Sequence, residues 1–322
     1  MHIGDSTTEG ERGTLGTGRW VDSFQRLLRR TYQPDGVPGG FGFIPSFYQT
    51  NYLPDQWALT GSPANNSAYG IGLRCIHLVN NTQTATATFY GTGIEIHYTK
   101  SAATGVMGVS IDGGAVQNVN TSNGSGISSD GVWASPLLTR GSHTVVVSWV
   151  SGGIVYFEGA HILDGDENSG IHTYEAGHAS FRSGHFAPGT DYWTKRLTVL
   201  QPALITIQLG ANDCFQGYTA TVFKTNIQTL ISRIKARVTI TPTIILTSLY
   251  TPSGSEATWP AFQQAMREIA AADPAVILFD LATVYGDTVA DPYDLLYDYV
   301  HANDRGQGVQ AVKLLAAVTP VG

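Results

Sequence analysis

The stretch Leu204-Ile-Thr-Ile-Gln-Leu-Gly-Ala-Asn-Asp213 decides the reading of the fold. Its first seven residues, LITIQLG (204–210), are a nearly unbroken apolar run of strand length, the pattern of a strand buried on both faces of a parallel sheet. The run ends in a Gly-x-Asn-Asp turn. Downstream, Phe223, Ile227, Leu230, Ile231 and Ile234 recur at helical spacing and predict an amphipathic helix. TIILTSL (243–249) then predicts a second strand, residues 257–272 a second helix, VILFDL (276–281) a third strand and 305–318 a last helix. Strands alternating with helices mean an α/β domain built on a parallel sheet.

Upstream the texture changes. From about 65 to 165, the runs TATATFYG, GIEIHYT, GVMGVSIDGG, HTVVVSWV and IVYFEGAHI alternate with Gly-Gly, Asn-Gly and Asp-Gly turns. Such short β-branched and aromatic runs predict an antiparallel β-sandwich or jelly roll. Residues 1 to about 60 return to the first texture. A strand stub and a turn precede a helix marked by Trp20, Phe24, Leu27 and Leu28, and a Gly/Pro/aromatic loop runs from Pro34 to Pro63. The simplest arrangement is one discontinuous α/β domain, residues 1–64 and 168–322, interrupted by a β-sandwich at 65–167.

Composition bounds the function. Hydrophobic residues make up 42% of the 322 and charged residues 13%, with a net charge of -7 and no basic stripe, which argues against a nucleic-acid partner. Arg26, Arg29 and Arg30 read as a solvated helix face. Cys75 and Cys214 are too few for a disulfide framework or a metal cluster and read as free thiols. No run approaches the roughly 18 apolar residues of a spanning helix. The opening MHIGDS has no apolar leader segment, and only Met1 to Ile3 precede the first turn. We therefore expect that residues upstream have been trimmed, which leaves the compartment open and favours an extracellular or surface location.

Three short motifs carry chemistry. In IGDSTTEG, Ser6 follows a strand and would project from the carboxyl edge of the sheet, where α/β proteins bind ligands. In LLYDYVHANDRGQG, Asp298 and His301 are spaced so that the carboxylate can orient the imidazole. In QLGANDC, Asn212 offers a side-chain amide to a developing oxyanion. Each has a bland counterpart: a Ser/Thr-rich helix cap, a helix N-cap region with an incidental histidine, and an Asx turn.

Taken in order, GDS, GAND and DxxH resemble three of the four sequence blocks of the SGNH (GDSL-like) serine hydrolases. The resemblance covers roughly 1–60 and 170–322. It implies a flavodoxin-like three-layer α/β/α fold and ester hydrolysis without metal or cofactor. By position it implies Ser6 as nucleophile, His301 as base, Asp298 as its orienting partner, and Ser6 N–H and Asn212 as oxyanion donors. The remaining block departs from the family, whose Asn-Ala-Ser-x-x-Gly supplies a backbone N–H. Here Glu175-Ala176-Gly177 aligns with Asn-Ala-Ser and puts Ser180 where the glycine belongs, with Gly177 as the alternative donor.

The inserted strands resemble the jelly-roll modules that accompany carbohydrate esterases, and Tyr69, Tyr98, Trp133 and Trp149 could stack on sugars or fill the sandwich core. The expected substrate is an acetyl ester on a glycan. The alternatives are a lipase, thioesterase or aryl-esterase on small soluble esters, or a glycan-binding module with a vestigial hydrolase. Oligomerisation through the insertion is a further possibility. Residues 164–175 place Asp164, Asp166, Asn168 and Glu175 on a calcium-loop template, but Ser169 stands at its obligatory glycine, so a solvated turn is expected.

Overall fold

A computed structural model describes residues 1–14, 18–33, 39–40, 42–47, 57–66, 68–187, 192–286 and 291–318. Five parallel strands, His2–Gly4, Glu175–Gly177, Leu204–Gln208, Thr243–Ser248 and Val276–Asp280, form one sheet. Glu175–Gly177 is its edge, His2–Gly4 comes next, and the other three follow in chain order. This is the flavodoxin-like order, which reverses direction between the first and third strands and opens a ligand crevice at their carboxyl ends. His2 tolerates its place inside the sheet because its Nδ1 lies 2.9 Å from the Thr206 hydroxyl of the neighbouring strand.

The predicted helices form where apolar periodicity demands. Helix Ala220–Arg237 buries Phe223, Ile227, Leu230, Ile231 and Ile234, and packs on helix Trp259–Ala272. Helix Trp20–Tyr32 buries Trp20, Phe24 and Leu28 and packs on the last helix, Asp304–Val318. Right-handed crossovers running in opposite directions from the switch point put these two pairs on opposite faces. One apolar core joins both pairs to the sheet.

Two antiparallel sheets stand beside this layer. One runs Ser128–Ala134, Gly93–Lys100, Val155–Leu163, Cys75–Leu78, Ala64–Asn66, with Gly42–Pro45 also paired to Val155–Leu163. The other runs Ala58–Thr60, Thr84–Gly91, Gly141–Ser151, Val106–Ile111, Gln117–Asn120. Alternate residues point inward, Ala85, Ala87 and Phe89 from one strand and Ile94, Ile96 and Tyr98 from another, and they share one core. The expected loop from Pro34 to Pro63 lies partly outside the described residues. Within it, Gly42–Pro45 and Ala58–Thr60 are strands, so these sheets draw on residues before 65. Glycine and proline obscured both segments because strand pairing, not local propensity, holds them.

Buried charge ties the two parts together. Arg196, wholly buried at the end of the short helical turn Thr194–Arg196, donates to Glu158 Oε2 at 3.0 Å, Tyr98 O at 3.2 Å and Gly131 O at 3.1 Å, all on the antiparallel sheet. Glu158 takes a further bond from Thr99 Oγ1 at 2.7 Å. Removing one partner of such a pair strands the other charge out of water, at about 3–5 kcal/mol. Arg196→Ala is therefore expected to lower the unfolding free energy by that much, read as a lower urea midpoint at unchanged slope. The double variant Arg196→Met/Glu158→Leu should recover a large part of the loss; a double variant as unstable as the single would refute the pairing.

Candidate functional site

Ser6 opens a one-turn helix, Ser6–Glu9, directly beyond the first strand. Gly4 permits the turn, because a Cβ there would lie 2.7 Å from Gln208 O of the neighbouring strand. Asp5 caps the helix, accepting from Thr7 N–H at 3.0 Å and Thr7 Oγ1 at 2.8 Å. At the start of a helix the first N–H groups have no intrahelical acceptor, and the Ser6 amide is one of them.

His301 arrives from the other end of the chain. Its Nε2 lies 2.9 Å from Ser6 Oγ, and its Nδ1 lies 2.9 and 3.0 Å from the two Asp298 carboxylate oxygens. An acceptor-only carboxylate on Nδ1 requires Nδ1–H, which leaves Nε2 as the acceptor for the serine hydroxyl. Both Ser6 and His301 are nearly buried, 8% and 9% exposed. Burial by itself would push the Asp298 carboxyl up, but N–H bonds from Val300 (3.0 Å) and His301 (2.7 Å) and the imidazole hold it below the usual carboxylate range. It therefore stays ionised at neutral pH.

Ser180 and Asn212 line the same cavity of about 230 Å³, together with Ser6, Glu11, Tyr299 and His301. Ser180 has φ +66°, the left-handed conformation that glycine adopts freely and a residue with a Cβ adopts at some strain. Gly177 sits elsewhere. It lies inside the edge strand opposite Gly4, its N–H is taken by the Glu175 carboxylate, and a Cβ would come within 2.5 Å of Glu9 N. Its smallness serves close packing. Asn212 fixes its amide by one N–H to Phe181 O at 3.1 Å, leaving the other available. Asp213 beside it is buried and accepts from Ser183 N–H at 2.9 Å, which anchors the segment after Ser180.

The sequence reading missed four neighbours. Glu11 Oε2 lies 3.3 Å from His301 Nε2, and Arg12 Nε lies 3.5 Å from Asp298 Oδ2. Phe215 and Tyr299, with rings 5.7 Å apart, stand on the rim of the cavity. No motif marks any of them, although Glu11 lies only five residues beyond Ser6. The calcium template does not assemble: Asp164 pairs with Arg140 at 2.7 Å, Asp166 accepts from Asn168 N–H at 3.0 Å, and Glu175 pairs with Arg74 at 2.7 Å. Cys75 and Cys214 are both free. Among the described residues no helix is long and apolar enough to cross a membrane.

A parallel sheet in flavodoxin-like order thus brings a serine, a histidine and an aspartate within hydrogen-bond reach at its carboxyl edge. Residues 160–309 match the GDSL-like Lipase/Acylhydrolase family, and this part of the chain is similar to those SGNH hydrolases. No curated protein matches the sequence. A solved peptidoglycan O-acetylesterase is 14% identical and superposes with a TM-score of 0.69, covering 98% of this chain and 89% of its own. A family two carbohydrate esterase from Clostridium thermocellum in complex with cellohexaose is 14% identical, with a TM-score of 0.35 over 76% of this chain and 94% of its own. The first shares the fold; the second is too distant to add to it.

Asp5 supplies a pH signature. Burial raises its pKa to about 6 from 3.8, partly offset by its bonds to Thr7. The folded state therefore binds this proton more tightly than the unfolded chain. The resulting stabilisation is full below about pH 4 and is lost as pH rises through about 6, to an extent on the order of 2–3 kcal/mol. Asp5→Asn should remove this component between pH 4 and 6. Urea titrations of both proteins across that window check it; parallel pH–stability curves would refute it.

Proposed function

We propose that the protein is a serine esterase that removes short acyl groups, acetyl foremost, from a carbohydrate. The observation that carries the mechanism is the continuous chain from Ser6 Oγ to His301 Nε2, and from His301 Nδ1 to Asp298, at 2.9 Å per link. His301 takes the Ser6 proton as Oγ attacks the ester carbonyl carbon. The carbonyl electrons move onto oxygen, which Ser6 N–H, Ser180 N–H and the Asn212 amide would hold. As the tetrahedral centre collapses, the C–O bond to the alcohol breaks and His301 returns the proton to the departing sugar hydroxyl. Water, deprotonated by the same imidazole, then releases the acid and Ser6.

Two features support a short acyl group on a sugar. The cavity, about 230 Å³, is below the range of sites that enclose larger ligands. Two exposed aromatic rings, Tyr299 at 59% and Phe215 at 42%, line it. The likeness of fold to a peptidoglycan O-acetylesterase agrees with this reading. The rings expected to meet sugar on the sandwich suit that task less: Tyr98 is buried, Trp133 and Trp149 pack on the core, and Tyr69 lies edge-on to Tyr156 and Tyr192. We take the two antiparallel sheets as an inserted jelly-roll module whose first strands precede residue 65.

The rival readings are an aryl-esterase, thioesterase or lipase on the same machinery, and a glycan-binding protein without turnover. Hydrolysis of p-nitrophenyl acetate, butyrate and octanoate separates them. Acetate should be the best of the three, and acetylated glycan should release acetate. Octanoate turned over fastest would favour a lipase, and no turnover a binding module. Ser6→Ala should abolish the activity, Asp298→Asn should lower kcat about 10⁴-fold and Asn212→Ala about 10²–10³-fold. Ser180→Gly should retain it, since the N–H survives and the positive φ is relieved. Equal rates for wild type and Ser6→Ala would overturn the serine mechanism.

A further inference from the structure

The connector between the strand Val155–Leu163 and the edge strand Glu175–Gly177 brings Glu167 and His172 to His161 on that strand, each with one ligand atom within 4.8 Å of the others. His161 is 4% exposed, and its two ring nitrogens have different surroundings. Nδ1 lies 3.5 Å from Glu95 Oε2 and 3.4 Å from the Tyr174 hydroxyl. Nε2 is buried and has no hydrogen-bond partner among the described residues. His172 lies across from it with ring centroids 5.0 Å apart, and its Nε2 is 2.7 Å from Glu167 Oε2. Glu167 is itself fixed by N–H bonds from Gly40, at 3.2 Å, and Asp164. Arg29, close by, is turned to the carbonyls of Ile171 and Gly39.

We propose that His161, Glu167 and His172 form a zinc site that pins this connector. Two imidazoles and a carboxylate are a donor set that zinc favours. At bond lengths of about 2.0–2.2 Å, a tetrahedral ion would space its ligand atoms roughly 3.3–3.6 Å apart. The pair at 2.7 Å and the outer limit of 4.8 Å bracket that spacing, so side-chain adjustments suffice. Glu95 stands behind His161 as an outer-sphere carboxylate does, selecting the tautomer with Nδ1–H and a free Nε2 lone pair. A plain His172–Glu167 ion pair leaves the buried His161 Nε2 without any partner, which costs free energy. A metal accounts for all three side chains, with water completing the fourth position. The site is remote in role from ester cleavage: it would fasten the antiparallel sheet to the strand that leads into Ser180.

Metal-depleted full-length protein should take up one zinc ion per chain, read by elemental analysis after gel filtration. Competition with a chromophoric chelator should place the Kd in the micromolar range or tighter. Zinc should also raise the melting temperature. His172→Ala and Glu167→Gln, both at partly exposed side chains, should weaken zinc binding by more than the roughly 10–100-fold that loss of an outer-shell partner costs, and abolish the thermal shift. Both variants should keep the wild-type rate on p-nitrophenyl acetate, which certifies their fold independently of metal. No stoichiometric uptake at micromolar zinc, or equal affinity in wild type and both variants, would overturn the site.

Discussion

The carboxylate of Glu9 is the group on which the geometry of the site turns. It lies at the end of the single helical turn that Ser6 begins, fully buried, 3.4 Å from Arg74 Nη1. Its second oxygen accepts the N–H of Ala179 at 2.7 Å, one residue before Ser180. Arg74 in turn reaches Glu175 at 2.7 Å, on the edge strand, and Arg19 donates to the Glu9 carbonyl at 3.1 Å. Charges this deep are costly unless matched, several kcal/mol for each ion left alone. The matching locks three pieces of chain, the Ser6 turn, the edge strand and the Ser180 turn, into one relative placement. In the proposed mechanism oxyanion stabilisation demands that kind of fixity, because donors that must reorganise during the reaction lose most of their effect.

Arg74 comes from outside the parallel sheet, in the segment that leads into the antiparallel strand Cys75–Leu78. Arg196 makes the reverse link, reaching from the α/β part into Glu158. The antiparallel sheets are therefore more than an appendage, since each part completes the other's buried charge. Their aromatic residues are mainly occupied in packing. Two exposed rings, Phe215 and Tyr299, line the cavity instead, on the segments after Asn212 and before His301. Recognition of a sugar, in the reading favoured above, belongs to the loops at the sheet's carboxyl edge, where α/β folds concentrate variable contacts.

Much of this was legible in the sequence. The run 204–210, the helix of Phe223 to Ile234 and the strands of the β part announced themselves by period, because burial on one face or two leaves a periodic mark. Ser6, Asp298 and His301 were legible as ordered motifs, and their convergence is what the structure adds. What stayed hidden depends on pairing across long separations. The strands Gly42–Pro45 and Ala58–Thr60 are short, carry or adjoin glycine and proline, and are held by partners far along the chain. Glu11 and Arg12 look like a solvated charged pair, and only the fold brings them against His301 and Asp298. Likewise the stretch 164–175 reads as an acidic loop, whereas its spatially coherent residues are Glu167, His172 and the more distant His161.

The position of the long connection also has a physical reason. It joins the first strand to Glu175–Gly177, which is the edge of the parallel sheet, so the chain can leave and return without crossing a buried crossover. Loop-closure entropy grows only with the logarithm of length, so a connection of this size costs little more than a short one. The structural demand falls on the return. Ser180 must arrive in a left-handed conformation beside Ser6, and a serine there resists that conformation where a glycine would not. Hydrogen bonds on either side of it, from Ala179 to Glu9 and from Ser183 to Asp213, impose the turn that the residue itself disfavours. Backbone strain at a site persists where the surroundings over-determine it. Here the buried carboxylates of Glu9 and Asp213 do so.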